Sequence, residues 1–292
     1  MMNTRKSFLT AAVCVTAWAT VGQAWAQTKA PATAPTTAPA AAPTLATDYA
    51  PSSGQAGKDV IWLPTSQALV DRMLEMAKLT PKDHLIDLGS GDGRLVITAA
   101  RRGATAHGIE YNPELVAYSQ RIAQTEGVSA RATFEKADIF ESDFSKATVI
   151  TLFLLPDLNL RLRPTLLNMK PGTRIVSNSF NMGDWQPDQT SSRVVEGCQT
   201  YCEAYQWTVP AKVAGAWRLA NGQELVLEQT HQMLQGTLRQ GAQMLPLSDA
   251  RMQGTRISFT AGGVHHAGEL TSAGLQGTVN GAKTWSATLS RP

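Results

Sequence analysis

The stretch "HLIDLGSGDGRLV", residues 84–96, sets the architecture of what surrounds it. "HLIDL" is a short apolar run that ends at glycines and reads as a strand, and "RLVITAARRG", residues 94–103, reads as a helix closed by Gly103. Between them stand Gly89, Gly91 and Gly93. Without Cβ atoms they let the backbone take unusual dihedrals and let a ligand approach closely. The helix N-terminus behind them favours an anionic group. A second strand, "ATAHGIE", ends at Glu110, 21 residues after Gly89. A carboxylate at that place accepts hydrogen bonds from both hydroxyls of a ribose, so the turn points to a ribose-bearing ligand.

Outward from this turn, strands and helices alternate. "SQALVDRMLEMAKL" places Leu69, Val70, Met73, Leu74 and Ala77 on one helical face. "NPELVAYSQRIAQTEG" opens with Asn112 as cap and Pro113 at the first helical position, and closes at Gly127. "ARATFEKAD" is a third strand, and "ATVITLFLL", apolar throughout, is a fourth that suits burial on both faces. "DLNLRLRPTLLNMKPG" is a helix with Pro164 inside it, "TRIVSNSF" is a fifth strand, and strands near 194–197 and 201–209 complete the sheet as a terminal hairpin. This alternation means a parallel sheet with helices on both faces, whose ligand site lies beyond the carboxyl ends of the strands where strand order reverses.

The glycine spacing is G-x-G-x-G, not the dinucleotide G-x-G-x-x-G, and Asp87 lies two residues before the first glycine. A shorter turn and a preceding acid suit a cationic amino-acid moiety better than a pyrophosphate. At these residues the stretch resembles motif I of class I S-adenosylmethionine (SAM)-dependent methyltransferases. "HGIEYNPELV" resembles their acidic loop, and "KADIF" resembles the segment after the third strand, where an acid meets the adenine amine. The resemblance implies SAM as cofactor, and a cofactor site of Thr65, Asp87, Gly89, Ser90, Gly91, Asp92, Gly93, Glu110, Tyr111, Asp138 and Ile139. It implies a Rossmann-like, seven-stranded α/β methyltransferase sheet over residues 58–212. Trp62, beside Thr65, is expected to cross the cofactor's methionine end.

Over roughly residues 59–212 the chain resembles a bacterial set of exported methyltransferases. It also resembles the mitochondrial lysine methyltransferases that modify the membrane ring of ATP synthase and the adenine nucleotide carrier, and "NMKPGTRIVS" is similar to the non-SET histone lysine methyltransferase. A protein lysine amine is therefore the preferred acceptor. A small-molecule acceptor, or a ligand-binding envelope protein without catalysis, stands as the alternative. Asp157, Asn159 and Asn178, after the fourth strand and at the end of the fifth, are the candidates for acceptor contacts. The other readings are a helix cap for Asp157, a turn for Asn178 and a helix cap for Thr65. Trp185, in the polar loop "NMGDWQPDQT", either closes over the acceptor or packs at the domain edge.

The flanks carry different signals. Arg5 and Lys6 precede the uncharged "FLTAAVCVTAWATVG", and Ala24-Trp25-Ala26 follows, so residues 1–26 read as a cleaved secretory signal and the chain as exported to the periplasm. No membrane span is expected after cleavage. Cleavage lowers the formal charge from +3 to +1, leaving no electrostatic case for nucleic acid or an anionic membrane. Residues 27–57, rich in Ala, Pro and Thr, read as a disordered linker, with order expected from about Asp59. Cys198 and Cys202 would stand about 13 Å apart in a strand, too far to bond, but would meet in a tight turn. The five His are scattered, and no metal site is expected. From Val213 to the end, short alternating runs are punctuated by Asn221-Gly222, Gly262-Gly263 and Asn280-Gly281. They read as hairpin turns of a small antiparallel meander or barrel over residues 213–292. The protein is expected to be a monomer.

Overall fold

The computed structural model describes residues 49–191, 195 and 197–290. Leu45–Pro292 forms one compact unit. The segment expected to be a secretory signal, residues 1–26, and residues 27–48 of the expected linker lie outside the described residues. Residues 49–57, assigned to the linker from composition, make contacts of their own. Tyr49 packs edge-on against Tyr118, its carbonyl accepts from Arg121, and its hydroxyl accepts from Gln55 Nε2. Gly54 N donates to the Trp62 carbonyl and Trp62 N to the Gln55 carbonyl, folding residues 54–62 into a strap.

The chain then alternates as α1 (Gln67–Met76), β1 (His84–Leu88), α2 (Arg94–Arg101), β2 (Thr105–Glu110), α3 (Pro113–Thr125), β3 (Ala132–Lys136), β4 (Val149–Leu152), α4 (Pro156–Leu167) and β5 (Arg174–Asn178). β6 (Gln189–Thr190) and β7 (Ala204–Thr208) follow. The sheet order is β3-β2-β1-β4-β5-β7-β6, with every strand running the same way except β7, which is antiparallel to both of its neighbours. The chain changes direction across the sheet between β1 and β4, which opens a crevice at their carboxyl ends. The terminal hairpin differs from expectation. Its first strand is Gln189–Thr190 and its second begins at Ala204, not 201, while residues 194 and 196 of the strand expected at 194–197 lie outside the described residues. The late start of the second strand follows from the Cys198–Cys202 disulfide, with Cα atoms 5.7 Å apart, which holds residues 201 and 202 in a turn.

Period-two alternation sorts the side chains into two cores. Leu85, Val149 and Val176 face α1, α2 and α3. Ile86, Leu88, Ile150, Leu152 and Ile175 face α4 with Trp185 and Trp207. Helix ends follow local chemistry. Asn112 caps α3 by accepting from Glu114 N, and α1 is capped by Ser66, not Thr65. α4 continues through Pro164 to Leu167. Among the described residues no helix is long and apolar enough to cross a membrane.

The last eight strands, β8 (Gly215–Leu219), β9 (Glu224–Thr230), β10 (Met233–Gln240), β11 (Gln243–Gln253), β12 (Arg256–Ala261), β13 (Val264–Thr271), β14 (Gly274–Val279) and β15 (Lys283–Leu289), form a closed antiparallel barrel. The ladder closes where Ala287 of β15 meets Leu219 of β8. Three hairpin turns fall at the expected pairs, 221–222, 262–263 and 280–281. Trp217, Leu238, Met252, Ile257, Phe259 and Trp285 fill the interior, as a barrel of this size requires. His266 stacks on Phe259 with ring centroids 4.6 Å apart, an apolar packing role.

Candidate functional site

The crevice at the β1–β4 switch point gathers ten of the eleven expected cofactor residues: Thr65, Asp87, Gly89, Ser90, Gly91, Asp92, Glu110, Tyr111, Asp138 and Ile139. The sheet order explains the convergence. Asp138 follows β3, Glu110 ends β2, Asp87 lies in β1, Phe153 follows β4 and Phe180 follows β5. Neighbouring strands are about 4.8 Å apart, so these groups line up along roughly 20 Å of the sheet edge.

Gly89, Gly91 and Gly93 have φ of 80°, 55° and 78°, the left-handed region that other residues rarely adopt. At Gly91 an added Cβ would lie 2.3 Å from Trp62 Nε1, because the strap presses its indole onto the turn. Gly93 does not line the crevice. It starts α2, and a Cβ there would come within 2.7 Å of Phe134 and 2.8 Å of Ser119, so its constraint is packing beneath the turn.

Asp87 is the electrostatic centre. The parallel register sets it beside Thr151, whose Oγ1 donates to Asp87 Oδ1 at 2.7 Å. Burial raises its pKa to about 7, with Glu110 and Asp92 pushing the same way and Thr151 opposing. No cation is among the groups acting on it. A buried carboxylate so placed is ready for a cationic group. Glu110 accepts from Gly91 N at 3.0 Å through one oxygen and from Asn112 N at 2.8 Å through the other. Each oxygen keeps a lone pair for a ligand hydroxyl. Asp92 forms an ion pair with Arg94, which also donates to Thr65 O at 2.6 Å.

At the far end Asp138 accepts from Phe140 N at 2.9 Å and pairs with Lys58. The Lys58 hydrogen bond holds the Asp138 carboxyl below its ordinary pKa and raises that of Lys58 in turn. The Lys58 ammonium also sits 4.8 Å from the Tyr111 ring centroid. Lys58 thus ties the strap across the crevice, a role that only the folded path of residues 54–62 reveals.

The three acceptor candidates do not line the crevice. Asp157 is exposed in the first turn of α4 and caps nothing, since the cap residue is Leu155. Asn159 is fully buried, and its Nδ2 donates to Ser177 Oγ and to the Phe180 and Asn181 carbonyls. Asn178 is fully buried and donates to Thr65 Oγ1 at 3.1 Å. Asn159 pins the loop after β5, and Asn178 ties the end of β5 to Thr65. Trp185 is likewise fully buried, packed on Trp207 at 6.0 Å, so it closes over nothing. What does line the β4–β5 end is Phe153, Leu155, Phe180 and Tyr201.

The chain is similar in sequence to known methyltransferases. Residues 87–189 match the family model described as the ANTKMT methyltransferase domain. The chain is 43% identical over 133 residues to a protein-lysine N-methyltransferase of Saccharolobus islandicus (strain REY15A), covering 44% of this chain and 83% of that protein. It is 32% identical over 130 residues to the adenine nucleotide translocase lysine N-methyltransferase of Mus musculus, covering 44% of this chain but only 56% of that protein. Among solved structures, an RNA methyltransferase from Salinibacter ruber in complex with S-adenosyl-L-homocysteine is 47% identical, covering 52% of this chain and 96% of that one, with a TM-score of 0.49.

Proposed function

Because this chain belongs to the SAM-dependent methyltransferases that carry the ANTKMT-type domain, we propose that it transfers methyl groups to a lysine ε-amine of a protein. The carrying observation is the make-up of the crevice. Asp87, Asp92, Glu110 and Asp138 give it an acidic floor, and its β4–β5 end is apolar and aromatic. The acids serve the cofactor, the aromatic end suits the long apolar stem of a lysine, and the basic groups of the lining, Lys58 and Arg94, are both paired with acids and form no cluster for a nucleic-acid backbone. The 43% identical relative, a protein-lysine N-methyltransferase, supports the same reading.

When bound, SAM supplies an electrophilic methyl group on a sulfonium centre. Buried Asp87 balances the positive charge of the cofactor's amino-acid end, and Glu110 holds the ribose hydroxyls. Trp62 and the strap limit access of water from the side of the glycine turn. The acceptor approaches over β4 and β5, and much of the rate comes from holding its lone pair in line. A lysine amine has a reference pKa of about 10.4 and must lose a proton first. That proton leaves to solvent through the open mouth before attack, and the amine that results is the nucleophile.

In this reading the reaction runs outside the cytoplasm. The signal-like N-terminal residues and the Cys198–Cys202 disulfide both support an oxidising compartment. The test is transfer of tritiated methyl from SAM to envelope protein, followed by acid hydrolysis. Label is expected in methyl-lysine; label confined to a solvent-extractable fraction would overturn the acceptor assignment. In the same assay system, Glu110→Ala removes the acceptor of two ribose hydroxyls and frees the Gly91 and Asn112 amides. Its affinity for SAM, read by calorimetry, is expected to fall about 100-fold. A change below about threefold would remove Glu110 from the cofactor site.

A further inference from the structure

Three aromatic rings meet at the acceptor end, and the resemblance to known methyltransferases did not single them out. Phe153 follows β4 and Phe180 follows β5, with ring centroids 6.3 Å apart and nearly parallel planes. Tyr201 arrives from elsewhere in the chain and stands 5.4 Å from Phe153 and 5.9 Å from Phe180. At these separations the rings pack on one another and present a continuous aromatic wall to the crevice, with Tyr201 46% exposed at its rim.

How Tyr201 is held is unusual. It lies inside the loop closed by Cys198 and Cys202, and its φ is 55°. A tyrosine in the left-handed region is unfavourable by itself and persists where its surroundings over-determine it. Here the disulfide does so. Asn159 supports the opposite wall by donating to the Phe180 carbonyl.

We propose that Phe153, Phe180 and the disulfide-held Tyr201 form a cation-selective subsite for the ammonium of the acceptor and of its methylated products. The proposal deepens the lysine reading and rests on it. The π faces attract a cation over an uncharged group of the same shape. Methylation leaves the charge in place and enlarges its apolar surface, so the wall also retains partly methylated lysine for further rounds.

The test uses the full chain saturated with S-adenosyl-L-homocysteine, which keeps the cofactor groups occupied. Choline and its uncharged counterpart 3,3-dimethylbutan-1-ol are titrated separately by NMR. Choline is expected to bind at least about fivefold more tightly. The preference is expected to vanish in Tyr201→Leu, survive in Tyr201→Phe, and shrink in the Cys198→Ser/Cys202→Ser double variant, with cofactor affinity unchanged in all three. Equal binding of the two probes, or a preference that persists in both Tyr201→Leu and the double cysteine variant, would overturn the proposal. The lysine reading is checked apart from this, by methyl transfer to Nα-acetyl-lysine amide. There Tyr201→Leu is expected to raise KM more than it lowers kcat. If the parent protein transfers no methyl to any lysine while the choline preference stands, the acceptor assignment fails and the cation subsite remains.

Discussion

Affinity for SAM is expected to rise about tenfold per pH unit from pH 5 to 7 and then level off, because binding requires Asp87 to ionise. In the free protein this carboxyl titrates at about 7, raised chiefly by burial. Below that pH it is mostly neutral. A cationic amino-acid group beside it favours the carboxylate, so the bound state has the lower pKa and binding releases a proton. The slope is positive between the bound and free pKa values and zero above both. The cofactor's own α-amino group, with a reference pKa of about 8, begins to lose its charge there, so affinity turns down again in alkali. Calorimetry in buffers of different ionisation enthalpy reads both the affinity and the proton release. Asp87→Asn is expected to abolish the slope and to weaken binding at pH 7.5 by about 100-fold, the cost of stranding one partner of a buried pair. A flat profile in the parent protein would mean that Asp87 does not face the cofactor's charge. The same shift affects folding with the opposite sign. Between 3.8 and about 7 the native chain holds this proton and the unfolded chain has lost it. The contribution of Asp87 to stability therefore falls as pH rises through that window and is constant above it.

The cofactor half of the site was legible because it is built from local signals. Left-handed backbone at residues 89, 91 and 93 demands glycine, and strand ends deliver Asp87, Glu110 and Asp138 to one edge once the alternation is read. The barrel turns were legible for the same reason, since Asn-Gly and Gly-Gly pairs announce tight hairpins. The acceptor half was not. Phe153, Phe180 and Tyr201 are far apart in sequence, and what joins them is the order β4-β5-β7 plus a disulfide that spacing alone left undecided. Polar residues in the right segments drew attention instead. Asn159 and Asn178 are there, but turned inward, satisfying loop carbonyls and the Thr65 hydroxyl. Gly93 shows the same limit. A motif glycine can serve the packing beneath a turn rather than the ligand above it.

The second large effect concerns the joint between the sheet and the barrel, and it separates two neighbouring indoles. Trp207 of β7 is fully buried, and its Nε1 donates to the Trp185 carbonyl at 2.7 Å. Trp185, also fully buried, lies against the His231 ring in the β9–β10 turn, but its own Nε1 meets no acceptor among the described residues. Gln232 Nε2 donates to the Gln186 carbonyl and Arg251 pairs with Asp188 at 2.7 Å, so the barrel grips this loop at several points. Trp207→Ala opens a large cavity in the core under α4 and strands a carbonyl, and is expected to cost about 3–5 kcal/mol in urea unfolding. The phenylalanine variants divide the terms. Trp207→Phe keeps most of the apolar contact but leaves the Trp185 carbonyl without its donor, costing an additional ~1–3 kcal/mol beyond the lost volume. Trp185→Phe removes an N–H that was already unpaired, so its lost volume is partly offset and it is expected to be clearly the milder of the two. Equal destabilisation by the two replacements would show that the indole hydrogen bond contributes nothing. A Trp207→Ala cost below about 1 kcal/mol would show that this core relaxes around the cavity.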